Sequence, residues 1–288
     1  MRTAITLCPK PATFAPMLYT GRLTKGIQRA ADFECEGVEF NLQSPAQVDP
    51  AALKQLLERL DLQVTALGTG QAYLEEGLSL ADTDPAIQDG VRQRLRDQVD
   101  LARHLGGAAV LIGGIRGRLK GDPKARAAEY RTAVAAVQEV ADYAATRDVE
   151  LLVEPINRYE TNFINSIAEG LAFIDEVGRE NVGLLADTFH MNIEERSFAQ
   201  SLREAGERLR YVHLVDSNRW AAGFGHIDFD EIFTALYEMG YEGPLCAEVL
   251  PLPDDDSAVR QHVSFVRSRL KGLGMRSESS MEAADGRT

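Results

Sequence analysis

Short apolar stretches rich in β-branched residues recur along the chain and alternate with longer amphipathic ones. The strand-like stretches are TAITL, GVEFNL, QVTALG, AAVLIGG, VELLVEP, VGLLAD, RYVHLVD and PLCAEVL. Between them, segments such as DPAALKQLLERL and ARAAEYRTAVAAVQEVADYAA repeat apolar residues at three-to-four spacing, as a helix with one buried face does. Eight strand signals alternating with helices predict parallel strands joined by right-handed crossovers. Closure of eight such units gives a single-domain α/β fold, the (β/α)8 TIM barrel.

A doubly wound open sheet is the competing architecture. Such a sheet gathers its ligand at one switch point, often behind a GxGxxG turn after the first strand, and no such turn follows TAITL. No Pro/Gly/Ser-rich linker divides the 288 residues, so one barrel domain is predicted over residues 1–275. Residues 276–288, RSESSMEAADGRT, are polar and aperiodic, which predicts a disordered C-terminal tail.

Composition excludes several classes of partner. The formal net charge of −13 repels phosphate backbones and anionic lipid, and no Lys/Arg-rich run offsets it, so neither nucleic acid nor a membrane surface is expected. The N-terminal run in MRTAITLCPK is too short for a secretory or membrane segment, which predicts a cytoplasmic protein. Cys8, Cys35 and Cys246 form no CxxC pair and are interpreted as buried, reduced thiols.

Four residues of metal-binding type end four successive predicted strands. They are Glu154 in LLVEP, Asp187 in GLLADTFH, His213 in YVHLVDS and Glu248 in LCAEVL. Each acid alone is better explained as a cap of the helix that follows its strand. Four in succession, one of them a histidine, favour a shared site, since barrels collect catalytic groups at these strand ends. Three carboxylates and one imidazole suit Mn²⁺, Mg²⁺ or Co²⁺ better than a thiolate-type zinc.

Polar residues crowd the predicted loops after three of these strands. They are Asn157, Arg158, Glu160, Asn162, His190, Asp216, Asn218, Arg219, Trp220 and His226. Such density predicts a pocket that holds a polyhydroxylated molecule, such as a sugar, through directional hydrogen bonds. His190 lies three residues from Asp187 and is favoured as a site residue, whereas His226 is better explained as the partner of a loop carbonyl.

A basic loop follows the fourth strand. The segment IGGIRGRLKGD places Arg116 and Arg118 at the barrel mouth, where a guanidinium can hold a substrate carboxylate through two hydrogen bonds. Such a clamp would select a keto sugar acid, and a solvated basic loop on an acidic surface explains the two arginines equally well. The loop after strand eight, LPLPDDD, lacks the Gly-rich backbone donors of barrel phosphate sites, so a sugar phosphate is not expected.

Several sequence blocks resemble a known family. VEPINRYETNF, LLADTFHMNIEE, HLVDSNR and the AEV of strand eight resemble the xylose-isomerase-like TIM barrels, and within them the ketose 3-epimerases. GTGQAYLEEGLSL and SNRWAAGFGHIDF look most like the branch of 5-keto-L-gluconate epimerases. The resemblance covers the barrel from the first strand to about Leu252.

The resemblance implies a role for seven residues, all present here. The implied ligands of one divalent ion per chain, Mn²⁺ with Mg²⁺ and Co²⁺ as alternatives, are Glu154, Asp187, His213 and Glu248. Glu154 and Glu248 are also the implied acid/base pair. The implied substrate-binding residues are Glu160, His190 and Arg219, to which the basic-loop argument adds Arg116 and Arg118.

The implied activity is that of an isomerase. It epimerises a small-molecule ketose or keto sugar acid, of the 5-keto-L-gluconate or tagaturonate type, at C3. One glutamate removes the proton beside the ketone, and the other returns a proton to the opposite face of a cis-enediolate. An aldose–ketose isomerase of the hydroxypyruvate or xylose isomerase type remains open, since the same carboxylates serve it. An endonuclease IV-like hydrolase is less favoured, because three histidines at the mouth are too few for a trinuclear zinc site. A homo-oligomer, dimer or tetramer, is expected.

Overall fold

Eight parallel strands close into a barrel in chain order. The computed structural model describes residues 1–11 and 16–285, with side chains through Gly274. The strands are β1 (Arg2–Leu7), β2 (Gly37–Asn41), β3 (Gln63–Gly68), β4 (Ala109–Ile112), β5 (Leu151–Val153), β6 (Val182–Asp187), β7 (Leu209–His213) and β8 (Pro244–Ala247). Each pairs in parallel with its neighbours in the sequence, and β8 pairs with β1. The predicted (β/α)8 barrel is confirmed, and the open sheet is excluded.

Ten helices accompany the strands in the described part of the chain. They are α1 (Leu23–Asp32), α2 (Pro50–Arg59), α3 (Gly70–Glu76), α4 (Pro85–His104), α5 (Pro123–Ala145), α6 (Ile167–Val177), α7 (Thr188–Glu194), α8 (Phe198–Ala205), α9 (Phe229–Glu238) and α10 (Asp255–Asp285). Asp-Pro starts three of them: Asp49, Asp84 and Asp122 accept hydrogen bonds from the first turns of α2, α4 and α5. An aspartate cap with proline at the first helical position is a strong helix start, because it satisfies free amides and presets φ.

α7 lies where the sequence predicted a loop, and α3 is a second helix that the pattern did not indicate. α3 and α7 each contain seven residues, which is too short for a helical period to show in the pattern. At the other end of the chain, α10 continues through 276–285, within the segment predicted to be a disordered tail. That stretch contains neither proline nor glycine, so nothing in it breaks the helix. Residues 286–288 lie outside the described part, and the domain limit at 275 stays a prediction.

The core has an outer and an inner layer. The outer layer packs strands against helices, and the inner layer fills the barrel. The residues of the inner layer, called the inner plug below, are Ala4, Ala66, Leu111, Leu152, Leu185, Tyr211 and Cys246. Because side chains alternate along a strand, a residue two positions after a plug residue also points into the barrel, one layer nearer its carboxyl end. The inner plug therefore lies directly beneath any pocket at the barrel mouth.

Two further sequence predictions concern the whole chain. All three cysteines are buried free thiols, as expected. Within the described residues, no helix combines the length and apolar composition that a bilayer span requires.

His262 makes stability depend on pH in a predictable direction. It is fully buried on α10, where its Nε2 donates to the carbonyl of Leu245 at 3.0 Å. Burial lowers its pKa from 6.5 to about 4. The folded state therefore disfavours the imidazolium, so this contribution is complete above the unfolded pKa and is lost as pH falls toward the folded one.

We expect wild type to lose about 2 kcal/mol more unfolding free energy than His262→Gln between about pH 7.5 and about pH 5. Glutamine keeps a donor for Leu245 and carries no charge. Urea denaturation at the two pH values measures the difference. The exposed His104→Gln should follow wild type. Equal losses in wild type and His262→Gln would contradict the prediction.

Candidate active site at the barrel mouth

Because side chains alternate between the two faces of a strand, the four candidate ligands lie in one layer inside the barrel. Glu154, Asp187, His213 and Glu248 each lie two positions after a residue of the inner plug, so all four point into the barrel above it. Asp187 and His213 are also register partners on β6 and β7. One ligand atom from each of the four residues lies within 4.8 Å of the others. The predicted convergence of these side chains is what the barrel geometry produces.

The cluster has the atoms that a divalent cation needs. Nδ1 of His213 lies 3.5 Å from Oε1 of Glu154, 3.6 Å from Oδ2 of Asp187 and 3.8 Å from Oε2 of Glu248. Both His213 Nδ1 and Asp187 Oδ2 are buried without a hydrogen-bond partner. Buried polar atoms usually have partners, so two orphaned atoms that face each other indicate a missing ligand. An imidazole with three carboxylates fits a hard or borderline ion.

Burial and neighbouring charges shift the pKa values of two residues in the cluster. Burial raises the pKa of Glu248 to about 8, against the opposing charges of His213 and Arg219. Burial favours neutral His213, but the carboxylates of Glu39 and Glu248 outweigh it and raise the pKa of His213 well above 6.5. Burial of Glu248 and the carboxylates around His213 therefore favour the protonated forms of these two residues. A divalent cation would displace these protons, because its charge favours the deprotonated ligands.

Asp187 serves two purposes with its two oxygens. Oδ1 accepts the backbone amide of Phe189 at 2.7 Å and lies 3.4 Å from that of His190, which caps α7. Oδ2 remains directed at the cluster. The helix-cap explanation and the metal-ligand explanation are both consistent with the geometry of this residue. The cap also orients α7, the helix that carries His190.

His190 presents one defined donor to the pocket. It is buried, and its Nδ1 lies 2.8 Å from Nδ2 of Asn157. Because an amide nitrogen only donates, Nδ1 must accept, which leaves the proton on Nε2. Burial lowers the pKa of His190 to about 3, against the opposing carboxylate of Asp187. The imidazole is neutral and can donate from Nε2 to a substrate oxygen.

Arg219 links the candidate acid/base residue to the pocket wall. Its Nη2 donates to Oε2 of Glu248 at 2.9 Å, and its Nη1 donates to Oε1 of Glu160 at 3.3 Å. The guanidinium lies over the ring of Phe189, 4.7 Å from its centroid. Asn157 donates to the same oxygen of Glu160 at 3.0 Å. Glu160, His190 and Arg219, the three implied substrate-binding residues, therefore line one pocket with Glu154 and Glu248.

Arg116 has a different role from the predicted carboxylate clamp. It is buried, and its guanidinium donates to the carbonyls of Gly113, Glu154, Phe163 and Ile164. Burial lowers its pKa to about 10, so it remains cationic at neutral pH. With its donors used on the backbone, it anchors the β5 loop to the β4 loop. Arg118, by contrast, is exposed at the pocket rim.

The loop after β7 is organised by one of its own acids. Asp216 is fully buried and accepts the backbone amides of Ser217, Gly223 and Ile227. His226 is exposed and hydrogen-bonds the hydroxyl of Ser217 at 2.9 Å, where a loop carbonyl was expected as its partner. Both residues shape the loop rather than the cluster.

Sequence reasoning missed one buried acid and one glycine in the same layer. Glu39 lies beside His213, with its Oε2 2.9 Å from Nε2 of the imidazole. Its signal was the alternation in GVEFN, which puts Glu39 inward between outward-facing Val38 and Phe40. Gly113 is inward too, and a Cβ there would fall 2.3 Å from Oε2 of Glu154. A glycine is required for Glu154 to take this position.

The chain is similar to several known proteins. A family model described as a xylose isomerase-like TIM barrel matches residues 27–269. The chain is 42% identical over 226 residues to the L-ribulose 3-epimerase of Methylomonas sp. (strain DH-1), covering 78% of this chain and 77% of that protein. It is 36% identical over 225 residues to the ketose 3-epimerase of Arthrobacter globiformis, covering 77% and 75%. The crystal structure of D-allulose 3-epimerase from Methylomonas sp. matches with a TM-score of 0.81 at 32% identity, covering 93% of this chain and 98% of that one.

Proposed function

The chain belongs to the xylose isomerase-like TIM barrel family, and from this premise we propose that it is a metal-dependent ketose 3-epimerase. Both relatives named above carry 3-epimerase names, which supports an isomerase of the epimerase type. The observation that carries the proposal is the convergence of two glutamates from β5 and β8 on one candidate cation site.

The two carboxylates have the unlike surroundings that proton removal and return require. Glu248 accepts a hydrogen bond from Arg219 and is buried. Glu154 lies against the backbone of Gly113, and its own carbonyl is held by Arg116. A bound divalent ion would supply Lewis-acid stabilisation of the enediolate oxygens. Glu154 and Glu248 exchange a proton with C3 from the two faces of the sugar, while His190 and Arg219 orient it.

The substrate class is a ketose, and the keto sugar acid is a narrower proposal that now depends on Arg118 alone. The resemblance to 5-keto-L-gluconate epimerases supports the acid, whereas the relatives above are named for neutral ketoses. Mn²⁺ as the ion and a dimeric or tetrameric assembly likewise stay predictions.

Arg118→Ala tests the carboxylate clamp. We expect kcat/KM for tagaturonate or 5-keto-gluconate to fall about tenfold or more, with less than about a threefold change for fructose or psicose. The loss is selective because the guanidinium pairs with the carboxylate alone. Steady-state kinetics with both substrate types measure it. Lys120→Ala, which removes an exposed charge two residues away, is the matched control. Equal changes for acids and neutral ketoses would remove the clamp.

The proposed activity is tested by proton NMR of the Mg²⁺-loaded protein in D₂O. The substrates are psicose, fructose, tagatose, tagaturonate and 5-keto-gluconate. Deuterium entering at C3 as the epimer appears supports the proposal. An aldose product would reassign the chain to the aldose–ketose isomerases. Absence of exchange with every substrate would overturn the proposal.

The endonuclease alternative is disfavoured by the donor set. Within the described residues, the metal-type clusters contain a single histidine, His213, which they share. Three zinc ions need more imidazoles than this layer offers. A metal content near one per chain, without phosphodiester cleavage, is the expected result.

A further inference from the structure

Glu39 is the one acid of the ligand layer that the proposed reaction does not use. It lies on β2, is fully buried, and contacts the edge of His213 that faces away from the other three ligands. We propose that Glu39 is a positioning residue, which holds the proton of His213 on Nε2 and so directs the Nδ1 lone pair at the cation site. The inference rests on the proposed metal site.

The direction of the hydrogen bond follows from the groups involved. Oε2 of Glu39 lies 2.9 Å from Nε2 of His213. A carboxylate accepts hydrogen bonds and donates none, so Nε2 carries the proton. Nδ1, on the opposite side of the ring, faces Glu154, Asp187 and Glu248 at 3.5 to 3.8 Å. When a cation is bound there, Nδ1 must be unprotonated, and Glu39 specifies that tautomer.

Glu39 is itself held in place by the neighbouring strand. Its register partner on β1 is Thr6, whose hydroxyl donates to Oε1 at 3.3 Å. The same hydroxyl lies 3.4 Å from Sγ of Cys246 on β8. All three side chains are buried, as is His213, so close packing restricts the orientation of Glu39 and of the imidazole. The imidazole is oriented before any ion arrives.

The position of Glu39 argues against a second ion. Glu39, His213 and Cys246 also have ligand atoms within 4.8 Å of one another. However, Nε2 of His213 is already bonded to Glu39, and Thr6 already contacts both of the other side chains. Glu39 therefore supports the ligand His213 and is not a ligand in its own right.

The test is the affinity of the purified full-length protein for Mn²⁺, in the absence of sugar. Free Mn²⁺ gives a six-line EPR signal that binding broadens away, so a titration yields the dissociation constant. Loss of a carboxylate partner of a ligating histidine typically costs 10–100-fold in metal affinity. We expect Glu39→Gln to raise the dissociation constant by about tenfold or more. A change of less than about threefold would overturn the proposal.

Glu36→Gln is the matched control. Glu36 precedes β2 by one residue and accepts hydrogen bonds from Thr3, at the other end of the barrel. The same substitution there should leave the Mn²⁺ dissociation constant within about twofold of wild type, since it touches no ligand. Thermal unfolding of both variants in chelator separates a loss of folding from a loss of metal affinity.

A measurement on the wild-type chain covers the case in which Glu39→Gln does not fold. In Mg²⁺-loaded protein with ¹⁵N-labelled histidine, long-range ¹H–¹⁵N correlations identify which ring nitrogen of His213 carries the proton. A proton on Nε2 is expected, and a proton on Nδ1 would overturn the inference. Failure of wild type to bind Mn²⁺ at all would overturn the metal site and this inference together. Metal binding without epimerisation would overturn the proposed function alone.

Discussion

Glu154→Gln and Glu248→Gln are each expected to lower the rate of epimerisation by about a thousandfold or more while sugar still binds. Glutamine has nearly the same shape, and at position 248 its amide oxygen can still accept from Arg219. What it lacks is a proton acceptor at the reacting carbon. Turnover is measured by NMR, and sugar binding is measured by calorimetry. Glu176→Gln, on the exposed face of α6, should match wild type.

Hydrogen exchange separates the two glutamates more sharply than turnover does. Each variant keeps one carboxylate, on one face of the sugar. The remaining carboxylate can still remove and return the C3 proton of the epimer whose hydrogen points toward it. We therefore expect the two variants to catalyse deuterium exchange into opposite epimers, each without converting one epimer to the other. Full epimerisation in either variant would remove that residue from the acid/base pair.

Asp187→Asn is expected to weaken Mn²⁺ binding by more than about a hundredfold, with little change in the stability of the metal-free protein. Metal affinity and stability respond differently because one oxygen of Asp187 caps α7 and the other faces the candidate cation site. Asparagine caps helices as well as aspartate does, so Oδ1 can continue to accept from the start of α7. The atom directed at His213 becomes an NH₂ group, which cannot ligate a cation.

The measurement for Asp187→Asn is the same Mn²⁺ titration, with thermal unfolding in chelator for stability. Asp122→Asn is the control, because Asp122 caps α5 in the same way and lies outside the cluster. It should change neither quantity. Wild-type affinity in Asp187→Asn would mean that the cluster does not bind the ion through this residue.

Much of this site was predictable because the carboxyl ends of all eight parallel strands of a barrel meet at one face. A side chain at the carboxyl end of any strand points to one common mouth, so Glu154, Asp187, His213 and Glu248 had to converge once the eight strands were recognised. The proposed substrate-binding residues Glu160, His190 and Arg219 followed from the same rule, since they lie in the segments directly after those strands. Here local sequence carries tertiary information.

Orientation within loops was not predictable in the same way. Arg116 and Arg118 are two residues apart in a Gly-rich loop, and nothing in the pattern distinguishes an anchoring side chain from a rim one. Arg116 is buried where its guanidinium donates to four backbone carbonyls, and that arrangement exists only after the β4 and β5 loops meet. Charge alone had suggested a ligand clamp for both.

For Glu39 the orientation was predictable, but the role was not. Its strand alternates clearly, and the inward position was readable from GVEFN. Acids at strand ends are the usual sign of a barrel site, whereas Glu39 is followed by two more strand residues. The residue that hydrogen-bonds a ligand comes from another strand in the same layer of the barrel. Which residues share a layer is known only once the strand register is known.

The glycine at the end of β4 limits how the pocket can be engineered for other sugars. Any side chain at Gly113 would push Glu154 aside, so the pocket cannot be narrowed from that wall without moving a proposed acid/base residue. Gly70, at the start of α3 and next to Gly114, also lines the pocket, and a Cβ there would meet no atom within 4 Å. Libraries that aim at shorter or differently shaped substrates can vary the α3 side and should leave β4 unchanged.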